Sequence, residues 1–155
     1  MPIVVPEPNT ILITRPEEAV EMLSELIEDN ADRLGIEFVG KYDERLLPRY
    51  PAVVLSSAPL TKEVHATHTF NVTLRVTIWV YHAKITVTHK ERSEEDLLLV
   101  TALTSLLEDD PTYGNRVVFG FVDNEVPGVV APRAGRGDPI VGTRMSWEAI
   151  TQQRW

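Results

Sequence analysis

An α+β domain, with two helices packed on one face of a mostly antiparallel sheet, is predicted by three features of this sequence. Phe70, Val72, Leu74, Val76, Ile78 and Val80 alternate with Thr69, Asn71, Thr73, Arg75, Thr77, Trp79 and Tyr81, the period-two pattern of a long strand with one buried face. Two other segments carry apolar residues at helical spacing behind helix-start signals. Short alternating runs then close the chain, which gives the order helix, two short strands, long strand, helix, hairpin, final strand.

Residues 1–13 are apolar but interrupted by Pro2, Pro6 and Pro8, so they are expected to form an extended arm, followed by a single domain over residues 14–155. Thr14 and Glu17 read as a capping box around Pro16. The stripe Ala19, Val20, Leu23, Leu26, Ile27 and Ala31 predicts the first helix, and Gly35 its end. A strand is expected over 36–39, a charged, proline-bounded loop over 41–51 and a compact apolar strand over 52–55. Residues 83–92 read as either a loop or a protruding hairpin arm.

Ser93 with Asp96 signals a second helix, whose acidic first turn suits the positive end of the helix dipole. Its core-facing residues are expected to be Leu97, Val100, Leu103, Leu106 and Leu107. A strand over 117–122 would turn at Asp123 and Asn124 and pair with 126–130, where Pro127 favours an edge or a bulge. Residues 128–139 hold no large anchoring side chain after Val130 and are expected to form a flexible loop. The last strand, 140–150, alternates through Val141, Thr143, Met145, Trp147 and Ala149.

Composition narrows the function. The chain of 155 residues suits one domain with a real core. With 23 acidic residues against 15 basic ones, the net charge of −8 disfavours specific nucleic-acid binding but suits a surface past which DNA slides. No cysteine is present, which removes disulfides, thiol chemistry and thiolate metal sites. No apolar run approaches the roughly 20 residues that span a bilayer, and no signal-peptide pattern opens the chain, so neither membrane insertion nor secretion is expected.

The candidates for chemistry do not converge. His65 and His68 lie three apart near His82 and His89, but in and beside a strand their side chains would diverge, so they read as sheet or rim residues. Glu94, Glu95 and Asp96 are accounted for by the helix start. Glu108, Asp109 and Asp110 stand at a helix C-terminus, where negative charge is unfavourable, and read as a solvated surface. The residues two before Lys41, Lys62, Lys84 and Lys90 are Val39, Leu60, His82 and Thr88, so the acid-x-lysine pair of restriction-type nucleases is missing. The nucleophile elbow, the Walker-type loop and the dinucleotide-binding glycine motif are missing as well. No catalytic, cofactor or metal residue is therefore assigned, and the chain is expected to be non-enzymatic. Two helices cover only part of so long a sheet, so its remaining face or an open edge needs another chain. Ile3, Val4 and Val5 of the arm, Trp79 on the polar strand face, Arg133 and Arg136 of the basic loop, and the terminal Trp155 are the candidate interface residues.

This succession resembles the tail-terminator and tail-completion proteins of long-tailed bacteriophages. The likeness rests on the opening helix over 18–27, the Tyr-Pro-Ala-Val-Val-Leu stretch over 50–55 and the long strand over 68–81. It continues through the Ser-Glu-Glu-Asp helix start at Ser93, residues 113–122 and the final strand. It spans residues 14–150 and lives in order and pattern. It implies a homo-oligomeric ring, commonly a hexamer, at the head-proximal end of the tail in the virion, assembled in the host cytoplasm. Such a ring stops tail-tube growth and contacts the tail-tube protein and the head-tail connector protein, while DNA passes through its lumen without specific binding. The family has no catalytic residues or cofactor to carry over. Another head-tail connector or a tail-tube component belongs to the same class. From other classes, a small metal-dependent hydrolase built on His65, His68 and the acidic helix end, or a binding module whose sheet edge accepts a peptide, are the alternatives.

Overall fold

A computed structural model describes residues 12–42, 49, 51–84, 89–132 and 139–154. Among these residues five strands form one sheet in the order β1-β2-β3-β5-β4: β1 (Phe38–Lys41), β2 (Ala52–Ala66), β3 (Thr69–Lys84), β4 (Phe119–Pro132) and β5 (Pro139–Arg154). All pairs are antiparallel except β1 with β2. Helices α1 (Pro16–Asp29), α2 (Ala31–Leu34) and α3 (His89–Glu108) accompany the sheet, with α1 packed over β1 to β3 and α3 over β4. The architecture is the α+β arrangement expected from the sequence, with the short α2 added.

The long alternating strand is β3, and its even-numbered residues Val72, Leu74, Val76, Ile78 and Val80 are fully buried beneath the helices. They meet Ala19, Val20, Leu23 and Ile27 of α1 and Val100, Leu103 and Leu107 of α3 in one core. Facing residues of β5, Met145, Trp147 and Ala149, complete it. Burial at this depth contributes about 1.5–3 kcal/mol per large aliphatic side chain, which is why period-two and period-3.6 stripes decide the fold.

Several boundaries differ from expectation, each for a physical reason. The N-cap of α1 is Arg15, with no side-chain cap bond, so Thr14 and Glu17 do not form the capping box; Pro16 at N1 still starts the helix. Gly35 caps α2 in the left-handed conformation at φ 74. The first strand runs Phe38–Lys41, two residues later than 36–39. The strand expected over 52–55 continues to Ala66 and returns as β3 through a two-residue turn, Thr67 and His68. His68 holds φ 64, which histidine tolerates better than most residues, so no glycine or Asn-Gly pair marks the turn in sequence.

Helix α3 begins at His89, one turn before Ser93, so Ser93 is inside the helix and residues 89–92 are not a hairpin arm. The turn expected at Asp123 and Asn124 is a register shift within a continuous β4, and 126–130 continue that strand instead of folding back on it. Pro127 sits at a second register shift on this edge strand, where its missing N–H costs no ladder bond. Residues 128–132 and Pro139 are strand as well, pairing as far as Pro132 with Pro139, so they do not belong to the flexible loop expected over 128–139, whose remaining positions 133–138 lie outside the described residues. Residue 13 does not belong to an arm. Ile13 is buried in the core, its N–H donates to the Arg116 carbonyl, and its carbonyl accepts from Thr151 Oγ1 at 2.7 Å.

Candidate functional site

The sheet has a second face, opposite the helices, and among the described residues no helix lies on it. At one end Ala52 and Val54 are buried there beneath Phe38, Trp79 and Tyr81. This explains the unbroken apolar run of residues 52–55: β2 is covered on both sides where β1 pairs with it, as parallel-paired strands usually are. Trp79 and Tyr81 stack at 6.1 Å with an interplanar angle of 4°, and the Arg144 guanidinium lies 6.0 Å from the Trp79 ring centroid. Farther along, Arg75 Nε donates to Glu148 Oε1 at 2.8 Å and Arg75 Nη1 to Thr61 Oγ1 at 2.9 Å. At the β4 end the face becomes apolar again, with Phe119 47% and Ile150 42% exposed and Phe121 beside Phe119.

Among the described residues, both edges of the sheet are open in part. β1 pairs only with Ala52 to Leu55, so among the described residues positions 56–66 of β2 pair with β3 on one side and with no strand on the other. Pro59 and a register shift between Ala58 and Thr61 interrupt this stretch, devices that hinder indiscriminate strand addition. The opposite edge is β4, which carries Asp123, Glu125 and Pro127. A groove of about 490 Å³ runs along the open stretch of β2 on the helix side, where Arg15, Ser57, Pro59, Leu60 and Lys62 face it.

Helix α3 exposes an unexpected surface. From Leu97 to Leu107 it contains no charged residue, a composition that suits a helix buried all round. Only Val100, Leu103 and Leu107 are buried in the core, whereas Leu97 is 65% and Leu98 70% exposed; Leu97 is therefore not the core residue the sequence predicts. Thr104 Oγ1 donates to Glu125 Oε1 at 2.7 Å, which fixes that side of α3 against β4.

The polar candidates separate. His65 is exposed near the end of β2 and His68 lies in the turn that leads into β3, so both stand beside the long strand. His82 is 5% exposed on β3; its Nε2 is 2.9 Å from Thr143 Oγ1 and its Nδ1 is 3.2 Å from the Asp96 carboxylate, tying α3 to β3 and β5. Thr, His and Asp in this row resemble a nucleophile, base and orienting acid, and Thr143 is 3% exposed. The side chain of His89 is outside the described residues. Among those residues no group of three or more His, Asp and Glu is placed to hold a metal. Asp110 is more than a solvated charge, because its carboxylate accepts from the N–H groups of Thr112 and Gly114 and from Thr112 Oγ1. These bonds, that of Gly114 first, hold its pKa below the ordinary carboxylate value.

The Asp110 turn should therefore hold above the unfolded pKa of about 3.8 and loosen as pH falls through the lower folded value. Amide exchange at Thr112 and Gly114, accelerating in acid in the parent and already fast near neutrality in Asp110→Ala, would check this.

Of the candidate interface residues, Trp79 is placed half-buried on the uncovered face beside Arg144. Ile3, Val4, Val5, Arg133, Arg136 and Trp155 lie outside the described residues.

No protein-family model and no curated protein matches this chain. No helix among the described residues is long and apolar enough to cross a membrane.

Proposed function

We propose that this chain is a non-enzymatic structural subunit that closes into a ring, with β4 of one copy joining the open stretch of β2 in the next. The observation that carries this reading is the presence, among the described residues, of two open edges on opposite sides of one sheet. Different edges joined head to tail make a heterologous contact, and when the rotation between copies closes, the product is a ring. The uncovered face supports the same reading, since Phe119 and Ile150 leave apolar surface in water on the monomer.

Placed with the resemblance described above, the ring is a tail terminator, commonly hexameric, at the head-proximal end of a phage tail. It caps the tail-tube protein and joins it to the head-tail connector protein, without a cofactor. The exposed carboxylates of α1, Glu18, Glu21, Glu25, Glu28 and Asp29, with the net charge of −8, support a channel that DNA traverses without adhering. A connector or tube component would use the same edges.

Native mass spectrometry of the purified chain is expected to show one closed oligomer, and a mixture with tail-tube protein a complex of that oligomer with the tube. A monomer in both conditions overturns the proposal. Because an open edge beside a groove also suits an added peptide strand, a monomer that binds one extended peptide along 56–66 would replace the ring with a binding module.

A further inference from the structure

We infer that the exposed leucines of α3 in one copy seat in the groove beside β2 of the next copy, an inference that rests on the ring reading and specifies its contact. Leu97 precedes Thr104 by seven residues, two helical turns, and so lies on the same stripe of α3. Since Thr104 bonds to Glu125, that stripe faces the β4 edge, and Leu97 projects beside the strand that a neighbour would meet.

The receiving groove flanks the other edge, and both features lie on the helix side of the sheet. Ser57 pairs with Val76, whose side chain is buried in the helix-side core, and Leu60 packs against that core. Joining β4 to β2 therefore brings ridge and groove to the same side of the junction.

Their heights along the sheet match only when the copies are staggered, and the edges themselves demand the stagger. Glu125, at the middle of β4, is level through Met145 with Ile78 of β3. Thr61, at the middle of the open stretch of β2, is level with Thr73. Full pairing of the two stretches thus offsets neighbours by five positions (78 against 73), about 17 Å. Asp96 contacts His82, so Leu97 starts near the level of position 82 and moves to that of position 77 in the neighbour. Ser56 is level with Thr77, and Ser57 in the groove follows it.

Charge agrees with this pairing. The β4 side presents Asp123 and Glu125, while Arg15 and Lys62 line the groove; Glu17, also in the groove, lies 3.7 Å from Arg15. The absence of charge from Leu97 to Leu107 lets the helix enter without stranding an ion.

The parent chain has no cysteine, so engineered pairs are clean probes. L97C and S57C, made separately in the full-length chain, are mixed and oxidised. A cross-linked dimer should form in the mixture and in neither protein alone. Leu97→Asp, at a site exposed in the monomer, should keep the parent's circular dichroism and melting behaviour. It should weaken association by roughly 10- to 100-fold, the effect of losing one buried leucine. If the parent assembles but the mixture fails to cross-link, or Leu97→Asp assembles as tightly as the parent, the inference falls while the ring stands. Cross-linking of L97C with itself would mean that the helices meet each other and would also overturn it. A parent chain that stays monomeric at every concentration removes ring and contact together.

Discussion

Replacing Trp147 with alanine is expected to cost about 3–5 kcal/mol, the largest loss from any single truncation in this fold. Among the described residues, Trp147 has the greatest volume of the fully buried side chains. It sits on β5 beneath the helices, and its Nε1–H donates to the Tyr113 hydroxyl at 2.8 Å. The Tyr113 hydroxyl in turn donates to the Leu107 carbonyl in α3. The two rings meet edge to face at 5.6 Å and 81°. One side chain thus joins the central sheet, the end of α3 and the turn that leads into β4. Tyr113 itself holds φ 51, a conformation that a bulky residue adopts only when its surroundings fix it. Thermal unfolding should show a midpoint lowered by roughly 10 °C for a domain of this size. A midpoint within two degrees of the parent would mean that the ring system does not organise this end of the core.

Gly120→Ala is expected to destabilise by about 1–3 kcal/mol, although it adds a single methyl group. A Cβ at Gly120 would stand 2.8 Å from Tyr113 Cε2 and 2.9 Å from Trp147 Cζ2. Both are ring carbons of buried side chains locked to each other, so neither withdraws as the end of a flexible chain would. The Gly120 N–H also donates to the Pro111 carbonyl at 2.7 Å, which keeps β4 from backing away. The double variant with Trp147→Phe separates overpacking from a general weakening of the strand. The smaller ring should absorb part of the methyl, making the combined loss less than the sum of the single ones. Strict additivity would place the cost in the strand backbone and remove this account.

The same tyrosine gives a pH dependence with a defined sign. Burial first, then the neighbouring Glu108 and Asp110 charges, raise the Tyr113 pKa to about 12 from 10.0, with the Trp147 bond acting the other way. The neutral phenol is therefore favoured by the folded state. Its contribution is complete below pH 10 and is lost as pH rises toward 12, because only the unfolded chain releases the proton readily there. Denaturant midpoints measured across that interval should fall less steeply in Tyr113→Phe than in the parent.

What residue order settled by itself was the set of buried stripes. The alternation through β3 and β5, and the spacing of Ala19, Val20, Leu23 and Ile27, could be satisfied only by a strand face and a helix face meeting in one core. Pro127 likewise announced an edge or a bulge, because a missing N–H is tolerated only there. Local chemistry could not reveal elements whose determinants lie far away in the chain. Residues 56–66 show no strong apolar alternation and the turn at His68 lacks a glycine, so β2 owes its length to pairing with β3. Leu97 carries the spacing of a core residue, yet the core is filled by Val100, Leu103 and Leu107 before its side is reached. Which apolar residues remain in water, and which edges remain open, depends on how many elements compete for a finite buried volume. That competition is decided only when the whole chain has packed, and it places the surfaces on which the proposed assembly rests.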